Sequence, residues 1–345
     1  MFDRNTMNHF IPFTKTQLNE LVKKRANETK FGETIDVPQG ESIGSFLKNT
    51  DTRFVLFGIA EDIGVLANYG NAGTANTWHS FLPPFLTIQA NDFTQTNLAI
   101  VGNFSFDELK ESINRNSINE ESKIQEYRNA VTIIDNEVAE LTQLIVSHNK
   151  IPIIIGGGHN NSYPIIKGTS LALKSTINCI NVDAHIDYRL AEGRHSGNGF
   201  RYAKQEGFLK KYFVVGLHEN YIPQPILEEI KNDTEINFIT FESIFIRQEK
   251  TWQQSLKEAA QFVDSNSTIG LELDLDAIEN ISSSAMSPSG ISVLETRQGV
   301  SIISSQCKVA YLHICEGIPS NETSVRTVGK LISYLVSDFF KSFHS

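Results

Sequence analysis

The chain predicts an α/β fold in which a parallel sheet is covered by helices on both faces. Eight short apolar runs recur along it, at Arg53–Ile59, Asn97–Val101, Ile151–Ile155, Thr176–Val182, Tyr212–Leu217, Ile236–Thr240, Ile269–Leu273 and Lys308–Ile314. They are apolar at nearly every position, so they read as strands buried on both faces. Helix-like segments separate most of them, and parallel strands need crossovers that lay helices over the sheet. A further observation concerns their ends: three of the runs stop at clusters of Asp and His.

Taken in order, residues 1–50 offer one amphipathic helix, near Thr16–Lys30, and a Gly/Ser-bearing segment at Gly40–Ser45. This part is expected to pack on the surface of the main domain. The first strand runs into a glycine-spaced loop, Ala60–Gly73, able to line a pocket, and then a helix at about Thr74–Leu86. Glu120–Asn149 reads as a long helix, with Ile134, Val138, Leu141 and Ile145 at helical spacing forming a core stripe. Further helices are expected at Tyr163–Leu173, Pro223–Lys231, Thr251–Asp264, Gly299–Ser305 and Ser324–Phe343. With no internal repeat and no Pro-, Gly- or Ser-rich linker, a single domain over residues 1–345 is expected. A closed eight-stranded barrel uses the same alternation and stays open at this point.

The 345 residues, 40% hydrophobic, can fill a substantial core. A formal charge of −10 argues against a nucleic-acid partner, which needs a basic face. Cys179, Cys307 and Cys315 form no close pair and read as buried thiols in a reducing compartment. Met1-Phe2-Asp3-Arg4-Asn5 lacks the basic-then-apolar pattern of a secretory signal, and no apolar run approaches the ~20 residues that cross a bilayer. A cytoplasmic protein without membrane contact is expected.

The chemistry concentrates at three strand ends. Thr176–Val182 feeds into Asp183-Ala184-His185-Ile186-Asp187, whose Asp183, His185 and Asp187 share one face if the segment is extended. Ile151–Ile155 runs into Gly156-Gly157-Gly158-His159, and Ile269–Leu273 into Asp274-Leu275-Asp276. Ligands in open α/β sheets bind outside the carboxyl ends of the strands. A lone Asp there is usually a turn or cap residue, and a lone His after glycines a loop residue. Two nearby buried carboxylates, however, are costly without a compensating cation or donors. Three such ends together point to a metal site made by His159, Asp183, His185, Asp187, Asp274 and Asp276. Four carboxylates and two imidazoles without cysteine suit Mn²⁺ before Zn²⁺, whereas oxygen-only ligation suits Mg²⁺ or Ca²⁺. Six ligands exceed the need of one catalytic ion, which keeps a position open, and fit two ions about 3.5–4 Å apart.

In this order the three motifs resemble those of the arginase or ureohydrolase superfamily, over roughly residues 54–340. The resemblance implies a three-layer α-β-α sandwich around an eight-stranded parallel sheet, deciding against the barrel. It also implies two Mn²⁺ per chain, one on His159, Asp183, Asp187 and Asp274, the other on His185, Asp183, Asp274 and Asp276. Members often form trimers or hexamers, so a homo-oligomer is expected. The superfamily hydrolyses C–N bonds of guanidino and formimidoyl compounds.

Arginases carry a His two positions after a Ser-Gly-Asn triplet; here Ser196-Gly197-Asn198-Gly199 continues to Phe200-Arg201. The Ser-Gly-x-x-Phe-Arg pattern, the glycine triplet before His159 and Arg189 are similar to formimidoylglutamases. This implies a small-molecule substrate, N-formimidoyl-L-glutamate, hydrolysed to L-glutamate and formamide. Asp187 is then expected to handle the proton and Glu316 to hold the amidinium. Arg201, or Arg189 if it is not structural, would clamp a carboxylate through paired hydrogen bonds, with Asn198 as a further substrate contact. Ser287-Pro288-Ser289-Gly290 resembles the family's loop at the substrate mouth. The pattern is broken at Asn71, where Arg is usual, at Glu272, where Ser or Thr is usual, and at Asn160, where Glu often stands. The alternatives are a guanidino-compound hydrolase releasing urea and a metal-binding scaffold without turnover. His195 and His218 are weighed as proton carriers against ordinary exposed or packed histidines.

Overall fold

The computed structural model describes residues 7–94, 97–264 and 266–343. Met1–Asn5, read above for a secretory signal, lie outside the described residues. One sheet organises the chain, with strands β1 (Phe10–Pro12), β2 (Phe54–Ala60), β3 (Leu98–Ser105), β4 (Ile151–Ile155), β5 (Ile177–Val182), β6 (Leu209–Leu217), β7 (Ile236–Thr240), β8 (Thr268–Asp274) and β9 (Lys308–Cys315). Their order is β1-β3-β2-β4-β9-β8-β5-β6-β7. All eight expected runs become strands, and every pairing among them is parallel.

The ninth strand corrects the expected count of eight. β1 is the edge strand and pairs antiparallel with β3, Phe10 opposite Phe104 and Pro12 opposite Gly102. Three residues with a terminal Pro show no readable alternation, and Pro is tolerated because the strand is at an edge. Gly102 makes the close approach possible: a Cβ there would lie 2.2 Å from the Ile11 carbonyl oxygen.

Side-chain alternation splits the strands between two cores. Phe54, Leu56, Ile153, Ile155, Leu271 and Leu273 pack with helices Thr77–Leu86, Trp252–Phe262, Val293–Gln306 and Glu322–Lys341. Val55, Phe57, Ile154, Cys179 and Tyr212 pack with helices Glu120–Ser147, Ser162–Leu173, Gly199–Gln205 and Gln224–Asn232. The result is helix, sheet and helix in three layers. Residues of the N-terminal stretch do more than cover a surface, since Phe13, Leu18, Phe31, Ile35 and Val37 enter the first core beside Phe85. The helix expected at Thr16–Lys30 runs only from Lys15 to Leu21, because Lys23, Lys24 and Arg25 supply nothing apolar to continue its buried face. Helices Asp107–Asn116 and Gly199–Gln205 were not expected; the first buries only Ile113 and the second is seven residues long. Among the described residues no helix is long and apolar enough to cross a membrane.

The connectivity determines where chemistry can occur. After β4 the chain leaves to build β5, β6 and β7, then returns to insert β8 and β9 between β5 and β4. Four strands far apart in sequence therefore end side by side. Their register aligns Ile155 with Ile314, Ile314 with Leu273 and Leu273 with Val182. The next residues, Gly156, Cys315, Asp274 and Asp183, form the rim of the sheet.

Candidate metal centre

Asp183 and Asp274 reach the site because each is the first residue past that aligned row, and each then turns the chain in the same way. Asp183 Oδ1 accepts the His185 N–H at 2.6 Å, and Asp274 Oδ1 accepts the Asp276 N–H at 2.8 Å. The carboxylate bonding to the backbone two residues on tightens each exit. β5 stops at Val182, so these turns, rather than the extended segment expected from the sequence, bring the third residues round. Asp187 adopts φ +44°, an uncommon conformation for a non-glycine residue.

His159 arrives by a different route. Gly156 and Gly157 have φ of +95° and +77°, and a Cβ on Gly157 would lie 2.6 Å from Asn161 Nδ2. Only glycine makes this bend without strain. Glu61, buried at the end of β2, fixes the loop by accepting from the Gly158 N–H (2.9 Å), Asn161 Nδ2 (2.7 Å) and the Gly64 N–H (3.0 Å). Sequence reading gave Glu61 no role, since two of its three donors lie about a hundred residues away.

The six side chains converge. His159 Nδ1 lies 3.2 Å from Asp183 Oδ2, 2.8 Å from Asp187 Oδ2 and 3.2 Å from Asp274 Oδ2. His185 Nδ1 lies 3.0 Å from Asp276 Oδ2 and 3.7 Å from Asp183 Oδ1. Two ligand groups result, His159 with Asp183, Asp187 and Asp274, and Asp183 with His185 and Asp276. Asp183 is common to both. Asp274 falls in the first group, and its Oδ1 accepts the Asp276 N–H.

These residues fit a hard to borderline divalent cation. Among the described residues, both ring nitrogens of His159 and Asp276 Oδ1 are buried without a well-aligned hydrogen bond, although His159 Nδ1 lies against three carboxylates. Orphaned polar atoms of this kind are costly unless an ion engages them. Burial, with the Asp183 charge adding to it, pushes the Asp187 carboxyl up to about 6. Burial also raises Asp274, helped by Asp276 and Asp183. Asp183 goes the other way, since bonds from His159 and His185 outweigh the effect of burial. Both imidazoles are pushed up although burial opposes it: Cys315 and the carboxylates win at His159, and Asp276 with Asp183 at His185. Without a cation the cluster neutralises itself with protons, which a metal would displace.

A cavity of about 310 Å³ opens over the cluster, lined by His185, Asp187, Asp274, Asp276, Glu316 and Arg189 among others. Glu316 follows β9 with φ +63°. Its Oε1 accepts the His159 N–H at 2.6 Å, while its Oε2 is buried without a partner. Burial, with Asp276 and Asp187 adding to it, pushes this carboxyl up to about 8.

Other expected contacts are placed elsewhere. Arg201 does not line the cavity: it makes a paired bond to Glu229 at 2.8 and 2.7 Å and donates to the Tyr188 carbonyl at 2.9 Å. Asn198 is likewise consumed, accepting from Arg194 Nη1 (2.8 Å) and donating to the Gly193 carbonyl (2.8 Å). The cationic side chain on the cavity wall is Arg189, together with Tyr221, Asn68, Ser284 and Ala285. The lining thus uses residues just before Ser287–Gly290. His195 is buried; burial and three nearby arginines lower it to about 3, and its Nδ1 accepts the Gly197 N–H. His218 stacks between Tyr221 and Phe241. Neither histidine is among the cavity-lining residues.

The sequence profile of the arginase family matches residues 78–340. A formimidoylglutamase of Macrococcus caseolyticus is 27% identical over 288 residues, spanning 81% of this chain and 82% of that protein. Among solved structures, the formimidoylglutamase from Bacillus subtilis superposes with a TM-score of 0.74 at 19% identity, covering 94% of each chain. The Trypanosoma cruzi formiminoglutamase with Mn²⁺ gives 0.70 at 18% identity, covering 91% of this chain and 99% of that one. These superpositions share the α/β sandwich described above.

Proposed function

The chain belongs to the arginase family, and on that premise we propose that it hydrolyses N-formimidoyl-L-glutamate to L-glutamate and formamide with two Mn²⁺ ions. The observation that carries this reading is the pairing of opposite charges in one cavity. Glu316 presents an unpartnered carboxylate oxygen beside the ligand cluster, and Arg189 lines the same cavity. The substrate has the matching ends, a planar amidinium and carboxylates, each suited to planar two-point recognition. At about 310 Å³ the cavity is at the small end of the usual ~300–1,000 Å³ for ligand sites, the size for an amino-acid derivative. The activity of the M. caseolyticus relative is the same.

His159, Asp183, Asp187 and Asp274 would hold one ion, and Asp183, His185 and Asp276 the other. Bound there, the ions would acidify a water molecule so that it can attack near neutral pH. Glu316 Oε2 would take the amidinium N–H, the substrate's charge drawing the carboxyl to its ionised form. Asp187 would take a proton from the attacking water and pass it to the leaving amine. Arg189 would anchor a carboxylate of the glutamate part. Arg201 has no part in this, being saturated by Glu229 and the Tyr188 carbonyl. Three buried, unbridged thiols suit a cytoplasmic location. A homo-oligomer belongs to the same reading and rests on the family resemblance.

The test is purified protein with added Mn²⁺, offered formimidoylglutamate, arginine, agmatine and guanidinobutyrate, with formamide and urea assayed separately. Formamide from the first substrate alone is expected. Urea from a guanidino compound, without formamide, would replace this reading with that of a guanidino hydrolase.

A further inference from the structure

Beneath the ligand cluster lies a buried carboxylate that the reaction does not use. Glu272 stands two residues before Asp274 on β8, so it projects from the same face one row deeper in the sheet. Its neighbours in that row are Asn181 on β5 and His313 on β9. Glu272 is fully buried, as are His313 and Tyr311. The Tyr311 hydroxyl donates to Glu272 Oε1 at 2.7 Å, and His313 Nδ1 lies 2.6 Å from Oε2. Burying a carboxylate this deeply, below four others, is expensive, and apolar residues of similar volume often serve stability as well or better.

Its geometry relates it to His159. The Nδ1 edge of that ring faces Asp183, Asp187 and Asp274, while Nε2 lies 3.5 Å from Glu272 Oε2. To ligate through Nδ1 an imidazole must carry its remaining proton on Nε2, and a carboxylate facing that proton fixes the tautomer and makes the ligand more basic. At 3.5 Å the contact acts through charge more than as a well-aligned hydrogen bond. We propose that Glu272, braced by Tyr311 and His313, is a positioning residue that holds His159 in its ligating tautomer and tightens the ion bound there. The inference rests on the reading of His159 as a metal ligand.

The experiment titrates Mn²⁺ into the metal-free full-length protein, following free Mn²⁺ by its paramagnetic resonance signal, alongside thermal unfolding of the metal-free forms. Wild type should take up two ions. Glu272→Gln should lose about 10–100-fold in affinity for one ion, the usual cost of removing such a supporting group, while the other ion and the metal-free Tm stay near wild type. Tyr311→Phe keeps the charge but removes a brace; it should weaken the same ion less, and it carries the test if Glu272→Gln does not fold. Unchanged affinities in the variants would overturn the inference while leaving the metal centre intact. Equal weakening of both ions with a lowered metal-free Tm would overturn it in favour of a structural role. Uptake of no ion by wild type would remove the metal reading and this inference together.

Discussion

The two halves of the ligand cluster are built differently. The His159 side chain is 1% exposed and enclosed on every side, with Phe200 edge-on at 5.2 Å, Glu272 below and its own N–H bonded to Glu316. The His185 side chain is 31% exposed; its ring stacks at 5.0 Å on Tyr221, itself 44% exposed. The first half is fixed by glycines, sheet register and buried donors. The second is one wall of the cavity, held by a turn and a ring stack. The difference teaches that the His159 half of the cluster is fixed by the scaffold, while the His185 half is the more open to the cavity.

The largest expected effect abolishes the distinction. Asp183 serves both groups, so Asp183→Asn should remove both ions, with manganese content falling toward zero by elemental analysis. Turnover should fall by about 10⁴-fold or more, as when a central catalytic group is deleted. Retention of two ions would show that the halves do not share this carboxylate.

Glu316→Gln sits beside the cluster rather than in it. Both ions should remain, while kcat/KM falls about 10²–10³-fold, the scale of truncating one partner of a buried charge pair. Smaller again is Arg189→Ala, which should raise KM about 10–100-fold, as expected when one or two bonds to a charged group are lost. Arg201→Ala should instead lower Tm and leave KM within about twofold. Exchange of those two outcomes would restore Arg201 as the substrate clamp.

Tyr221→Ala should weaken only the His185 ion, by about tenfold at most, read from the same Mn²⁺ titration. The mildest effect is on pH dependence. In the metal-free protein Asp187 and Glu316 titrate near 6 and near 8, above their ordinary 3.8 and 4.5. Raised groups favour the folded state at low pH, and that contribution is lost as pH climbs from the ordinary value through the folded one. Raised His159 and His185 act in the same direction above 6.5, while Asp183, being lowered, acts only below about its ordinary 3.8. The metal-free Tm should therefore fall between about pH 4.5 and 8, and the Tm gain from Mn²⁺ should widen over that range. A flat gain would mean that the cluster does not carry protons in place of metal.

Much of this centre was legible in the chain itself. Eight runs apolar at consecutive positions located the parallel strands, and the residues just past three of them are the acids and imidazoles that converge. Glu316 came instead from the family resemblance, and the structure puts it among the residues lining the cavity. What failed depended on remote partners. Arg201 and Arg189 both lie downstream of the same motif, and spacing cannot say that Glu229 on the helix Gln224–Asn232 occupies the first and leaves the second on the cavity wall. Glu61 and Glu272 were unreadable for the same reason, since their donors come from Gly158, Asn161, Tyr311 and His313.

The sequence by itself determined which segments are buried strands, which acids and imidazoles stand at their ends and which glycines permit the bend to His159, because each follows from local side-chain chemistry and backbone freedom. The tertiary structure decided that β8 and β9 insert between β4 and β5, and so which strand ends are neighbours. It also decided which carboxylates are left without protein donors and which arginine faces the cavity. Those outcomes depend on burial and on partners a hundred residues away, which are properties of the packed molecule rather than of any stretch of chain.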